Sequence, residues 1–271
     1  MRRAISGAWG TGAIYDHGAQ LVEWTPDGQA GVLFVSRLAR FAPGIAIRGG
    51  VPIVLPWFGA GVTGDRTPAH GFARLATWEL VDAATAGGTE ARVSYALASL
   101  APMLRAEFEV RLGTGLRLML AVTNTGEQPL QFEEALHTYL AVGDATRIRL
   151  TGLDGAEYLD QAAPGGLVRD RQHGEVTIAG EVDRIYDSAS TVTVIDPAWQ
   201  RTIEVSKRGS ASTIVWNPWS EKAAALADFG DDEWRGMVCV ESGNVRDAAV
   251  TLVPGQRHTL DVLISVRAAV C

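Results

Sequence analysis

Residues 133–144, EEALHTYLAVGD, decide how this chain is read. At period two, Leu136, Thr138, Leu140 and Val142 fall on one face, and Ala135, His137, Tyr139 and Ala141 fall on the other. A helix could use the same letters, since Leu136 and Leu140 stand four apart, but Thr138, Tyr139 and Val142 favour a pleated surface. The stretch is therefore expected to be a strand. Its first face is core, and its second sets small residues around an imidazole, the pattern of a strand that lines a cleft.

Working outward, the same alternation recurs along the chain. Phe108, Val110 and Leu112 alternate with Glu109 and Arg111, GTG turns the backbone, and Leu116, Leu118, Leu120 and Val122 resume the pattern, which predicts a hairpin with one buried face. From Ala19, QLVEW and GVLFV read as strands joined by the turn TPDGQA. RIRL, TVTVI, RTIEV, STIVW, GMVCVE and TLDVLISV are further short runs, the last burying Leu260, Val262, Ile264 and Val266. One segment reads as helix: Ser220 as cap, EKAAALADF, then Gly230. Many strands with little helix between them predict an all-β fold of antiparallel sheets packed face to face. No repeat or linker divides residues 1–271, so a single domain is expected.

Composition narrows the function. Net charge of −7 and a pI near 5.3 argue against a general nucleic-acid or anionic-membrane surface, so an anionic substrate must meet a local basic pocket. Cys239 and Cys271 are too few for a disulfide framework. No apolar run of signal-peptide length follows the two N-terminal arginines, and no stretch approaches a membrane span. The expected state is a cytoplasmic monomer.

Several strings carry candidate chemistry. GAGVTG, with Gly59, Gly61 and Gly64, has dinucleotide-loop spacing, but Pro68 and Gly71 follow where that motif needs a helix, so a glycine-rich loop beside a cleft is the better account. In IRGG, Arg48 offers a planar fork for a phosphate or carboxylate; by itself it reads as a surface arginine on a turn. PAHGFAR puts His70 and Arg74 around a glycine in an irregular segment, equally a functional loop or a histidine bonded to backbone. In GMVCVESGN, Glu241 shares a face with Met237 and Cys239, a costly place for a carboxylate unless it is paired or at a cleft mouth. VDRIYD adds Asp183 and Asp187, and WNPW places Trp216 and Trp219 around Asn217, a face suited to sugar rings or to the core. The acids of FGDDEW lack the spacing of a calcium loop, and no zinc-ligand pattern occurs. His17, His173 and His258 read as surface residues in polar turns.

Taken together, GAQLVEW, AIRGGVPIVLPWFG, HGFAR, EEALHTYLAVGD, VDRIY, VWNPW, MVCVESGN and LVPGQ resemble, in this order, the glucose-6-phosphate 1-epimerase branch of the aldose 1-epimerase family. The resemblance implies a galactose mutarotase-like β-supersandwich that interconverts sugar 6-phosphate anomers without metal or cofactor. It implies His137 as general acid, Glu241 as general base, and Arg48, Arg74 and Asp183 as substrate-binding residues, with His70 helping to hold the sugar. The chain departs from the pattern at Ala69, where relatives often carry glutamine, and at Ser242 and Gly243, where they often read AA. The first departure removes a hydrogen bond to the sugar; the second leaves the base in place. A carboxylate near His137 is expected to raise its pKa and keep it protonated. Three rivals stand beside this reading: a mutarotase of unphosphorylated aldoses, a non-catalytic carbohydrate-binding sandwich, and a glycosidase or lyase, which would usually want two carboxylates.

Overall fold

The computed structural model describes residues 1–86, 88–101 and 103–268; Cys271 lies outside them. Two eight-stranded sheets dominate. The back sheet runs in the order Arg149–Thr151, Val192–Asp196, Arg201–Arg208, Arg257–Ala268, Gly115–Asn124, Leu104–Leu112, Glu90–Ala101 and Glu79–Ala86. The expected hairpin is at its centre, Leu112 facing Leu116 across the turn, with the Arg257–Ala268 strand on its other side.

The front sheet runs Val168–Arg171, Glu157–Asp160, Val182–Asp187, Ser212–Asn217, Met237–Asn244, Glu134–Leu136 and Ile53–Val54, and Tyr139–Ala141 also pairs with Met237–Asn244. Every strand ladder among the described residues is antiparallel. Between the sheets lies the main apolar cluster, with Phe108, Leu118, Leu120 and Val262 from the back and Leu136, Leu140, Val215, Val238 and Val240 from the front. Burying those alternate positions removes about 25 cal/mol of unfavourable hydration per Å² of apolar surface, which is why each strand commits one face inward.

Three local expectations need correction. GVLFV is not a strand; Leu33 and Val35 make only isolated bridges, to Leu140 and Gly49. The helix is Trp219–Ala225, begins one residue before Ser220 and makes no side-chain cap; the Asn217 Oδ1 instead accepts the Trp219 N–H at 2.9 Å. A three-stranded N-terminal sheet includes Arg2–Gly7 and Gly10–Tyr15, two strands the sequence reading did not separate from turn-like glycines. At the GAGVTG string, Gly59, Gly61 and Gly64 all have positive φ and no helix follows, in keeping with a loop.

Candidate functional site

The stretch at 133–144 is a strand interrupted in its middle. Glu134–Leu136 and Tyr139–Ala141 pair with the same partner in one unbroken register, Leu136 opposite Ser242 and Tyr139 opposite Cys239. The irregularity is at Thr138, whose N–H turns back to the Leu136 carbonyl at 2.8 Å while its own carbonyl still accepts the Val240 N–H at 3.1 Å; the His137 N–H keeps the register with the neighbouring Ile53–Val54 strand and donates to the Pro52 carbonyl at 3.0 Å. On that register His137 falls across from Glu241. Their side chains meet, His137 Nε2 lying 3.3 Å from Glu241 Oε1, both almost wholly buried. The alternation read from sequence holds on both strands: Leu136, Leu140, Val238 and Val240 enter the core, while Ala135, Tyr139, Met237 and Cys239 pack on the opposite face around this pair.

Aromatic rings fix the imidazole. Tyr139 stacks on it at 4.7 Å, Trp216 meets it edge-on at 6.1 Å and His70 at 5.7 Å. His137 Nδ1 and Glu241 Oε2 are buried and have no partner, an expensive condition that a bound polar ligand would relieve. A cleft of about 270 Å³ opens over the pair, lined among others by Arg48, His70, Gln161, Asp183, Trp216 and Lys222.

Arg48, His70 and Asp183 line this cleft, Arg74 lies close enough to act on both His137 and Glu241, and Asp187 lies elsewhere, paired with Arg169. Arg48 donates to Asp228 Oδ1 at 3.2 Å through Nε and to the Tyr139 hydroxyl at 3.2 Å through Nη1. Burial opposes its charge, but Tyr139 and Asp228 outweigh burial and hold its pKa above the usual value. Arg74, in the short 3-10 turn Ala73–Leu75, donates to the Ala69 carbonyl at 2.8 Å, and its Nε is buried without a partner. Asp183 accepts the Gln161 amide at 2.7 Å and lies 3.6 Å from Lys222 Nζ; burial pushes its pKa up against both. His70 has φ +64 and accepts the Gly59 N–H on Nδ1 at 3.3 Å, which leaves its proton on Nε2. Burial, then Arg74, Arg48 and Arg246, push its pKa down to about 3, so it is a neutral donor over the physiological range.

The expectation that Glu241 keeps His137 protonated is overturned. Burial, followed by the influence of His70, Arg74 and Arg48, drives the imidazole pKa well below its ordinary value. Burial, followed by Asp183, drives the Glu241 pKa well above its own, against Arg74. Both shifts act against the ion pair and toward the uncharged forms of the two groups. These opposite shifts draw two ordinarily different proton affinities together, and such a pair can pass a proton in either direction.

Gln161, Tyr139, Lys222 and Asp228 were missed from sequence. Tyr139 alone had a local signal, sharing the face of His137; the others come from separate segments that only the folded sheet brings together. Two other readings change. Trp216 lines the cleft, but Asn217 is structural, its amide donating to the Trp234 and Met237 carbonyls at 2.8 Å each. His258 is no free surface residue: its Nε2 lies 2.9 Å from the buried Glu134 carboxylate.

Known proteins with the same architecture bear on this geometry. The sequence profile described as Aldose 1-epimerase matches residues 7–265. A protein of Cenchrus ciliaris named "Putative glucose-6-phosphate 1-epimerase" is 35% identical over 260 residues, covering 90% of this chain and 77% of that protein. A Salmonella typhimurium protein of the same name is 33% identical over 236 residues, covering 83% and 76%. Among solved structures, a "putative mutarotase (YeaD)" from Salmonella typhimurium superposes with a TM-score of 0.88 at 26% identity, covering 98% of this chain and 90% of that one.

Proposed function

Since the chain belongs to the aldose 1-epimerase family of isomerases, we propose that it interconverts the α and β anomers of an aldose 6-phosphate, D-glucose 6-phosphate foremost. The observation that carries this reading is the register-opposed contact of His137 and Glu241 at 3.3 Å beneath a cleft lined by Arg48 and Lys222. Mutarotation removes a proton from the anomeric hydroxyl and gives one to the ring oxygen while the bond from C1 to that oxygen breaks. Both oxygens are on C1, so the acid and the base must be neighbours. His137 is the general acid toward the ring oxygen and Glu241 the general base toward the hydroxyl. Opening proceeds from the form of the pair that carries the shared proton on the imidazole and leaves that proton on the carboxyl; rotation about C1–C2 and the reverse transfers close the other anomer and restore the starting form. The chemistry balances without a nucleophile, and each positioned acid or base is worth about 10²–10⁴ in rate.

Arg48 and Arg74 would meet a phosphate carrying about −1.5 to −2 charges, and Asp183 and the His70 Nε2–H would hold sugar hydroxyls. The rival substrate, an unphosphorylated aldose, is favoured by one observation: Arg48 is already engaged by Asp228 and Tyr139. Anomer exchange followed by saturation-transfer NMR separates the two. Faster exchange for glucose 6-phosphate than for glucose is expected; equal acceleration of both sugars would remove the phosphate from the account.

A further inference from the structure

Arg246 lies two residues beyond the strand that carries Glu241, in a backbone conformation that side chains rarely adopt, φ +56. Its N–H donates to Glu133 Oε1 at 2.7 Å, while Glu133 Oε2 accepts the Phe58 N–H at 3.0 Å. One buried carboxylate thus ties the end of the Glu241 strand to the start of the glycine loop. The guanidinium reaches back to that loop. Nη1 donates to the Gly61 carbonyl at 2.9 Å, Nη2 lies 3.4 Å from Gln161 Oε1, and Nε is buried without a partner. Gly59 and Gln161 both line the cleft, and a Cβ built on Gly59 would stand 3.6 Å from Nη2.

Charge gives this placement its meaning. Arg48 has Asp228 as counter-ion, but no described carboxylate lies within ion-pair distance of the side chain of Arg74 or of Arg246. Both arginines act on His70 between them and oppose its protonation. A protein of net charge −7 that leaves two guanidinium groups without an ion-pair contact among the described residues beside one cleft, each with a buried Nε unbonded, has the donors for a dianion. Backbone strain held at a non-glycine residue in such a place points to function.

We propose that Arg246 is a specificity-determining residue that joins Arg48 and Arg74 in the subsite for the substrate's phosphate. This rests on the sugar-phosphate reading above. The test is the ratio of kcat/KM for glucose 6-phosphate to that for glucose, measured in the wild type, Arg246→Gln and Arg246→Lys, with inorganic phosphate as competing probe. Losing one charge-assisted hydrogen bond is worth about tenfold to a hundredfold in affinity. Arg246→Gln is expected to lower the ratio about tenfold or more and to weaken inhibition by phosphate in parallel, with a smaller drop for Arg246→Lys. An unchanged ratio overturns the proposal, whether both activities persist or fall together, since a purely structural arginine would move them equally. If Arg246→Gln does not fold, Arg246→Lys decides on the same ratio. A wild type with no preference for the phosphorylated sugar removes the sugar-phosphate reading itself, an outcome distinct from a wild-type preference that survives the loss of Arg246.

Discussion

At the scale of the residue, the proposed role of Glu241 sets chemistry against stability. Its folded pKa is raised, so it costs the folded state nothing below the unfolded value near 4.3 and becomes a burden as pH rises above it. Glu241→Gln is therefore expected to abolish most anomer exchange, by about 10²–10⁴. It should also raise the Tm at pH 8, but hardly at pH 4. A tenfold change in proton affinity is worth about 1.4 kcal/mol, or roughly 3–6 °C at this chain length; thermal melts of both proteins at the two pH values check it. The lowered pKa of His137 places the acid limb of kcat/KM below pH 6.5 rather than at it, because the pair keeps a single proton down to that limb. A rate profile over pH 4–9 with its acid limb above pH 6.5 would contradict this. His137 and Glu241 were legible as residues because each breaks an apolar alternation. Their proton affinities were not, since Arg48, Arg74, His70 and Asp183, which help set them, come from other segments.

At the scale of the element, the site depends on an interrupted strand that keeps its register. Gly243 faces Ala135, and a Cβ there would come within 2.5 Å of the Glu134 carbonyl and 2.7 Å of the Ala135 Cβ. Gly243→Ala is expected to push the Glu134–Leu136 strand away, costing about 1–3 kcal/mol and lowering kcat more than it raises KM; unfolding titrations and kinetics test both. An alanine at this position thus does not fit here without movement. Glu134 is also held by Asn244 at 3.0 Å and by His258, whose pKa is raised chiefly by its hydrogen bond to that carboxylate. That contribution is complete below the unfolded histidine value near 6.5 and is lost as pH rises through the folded one. His258→Ala should accordingly lower stability by about 1 kcal/mol at pH 6 and by less at pH 9, as melts at the two pH values would show. The strands were readable from alternation, but the bend at Thr138 was not, because its N–H turns back to the Leu136 carbonyl at 2.8 Å while the period-two pattern of side chains continues through it.

At the scale of the molecule, the back sheet supplies a core wall and the front sheet carries His137 and Glu241 on its outer face, so the proposed chemistry and the core occupy opposite sides of the same strands. Antiparallel sheets with little helix followed from the short alternating runs. The order of strands within each sheet did not, since a ladder partner is chosen by the whole fold rather than by neighbours in sequence. Of the charged groups, Arg48 and Arg74 stood out in the sequence, whereas the nearness of Arg246 to His70 required the folded chain. The central claim is that His137 and Glu241 act as one acid–base unit on a sugar 6-phosphate. Its most direct test is saturation transfer between the α and β H1 signals of glucose 6-phosphate with the wild type, His137→Gln, Glu241→Gln and the double variant. The account predicts strong exchange for the wild type and the same residual exchange for each single variant as for the double, as befits residues that work as a unit. Near-normal exchange in either single variant, or a wild type that leaves the anomers to exchange at their spontaneous rate, would contradict it.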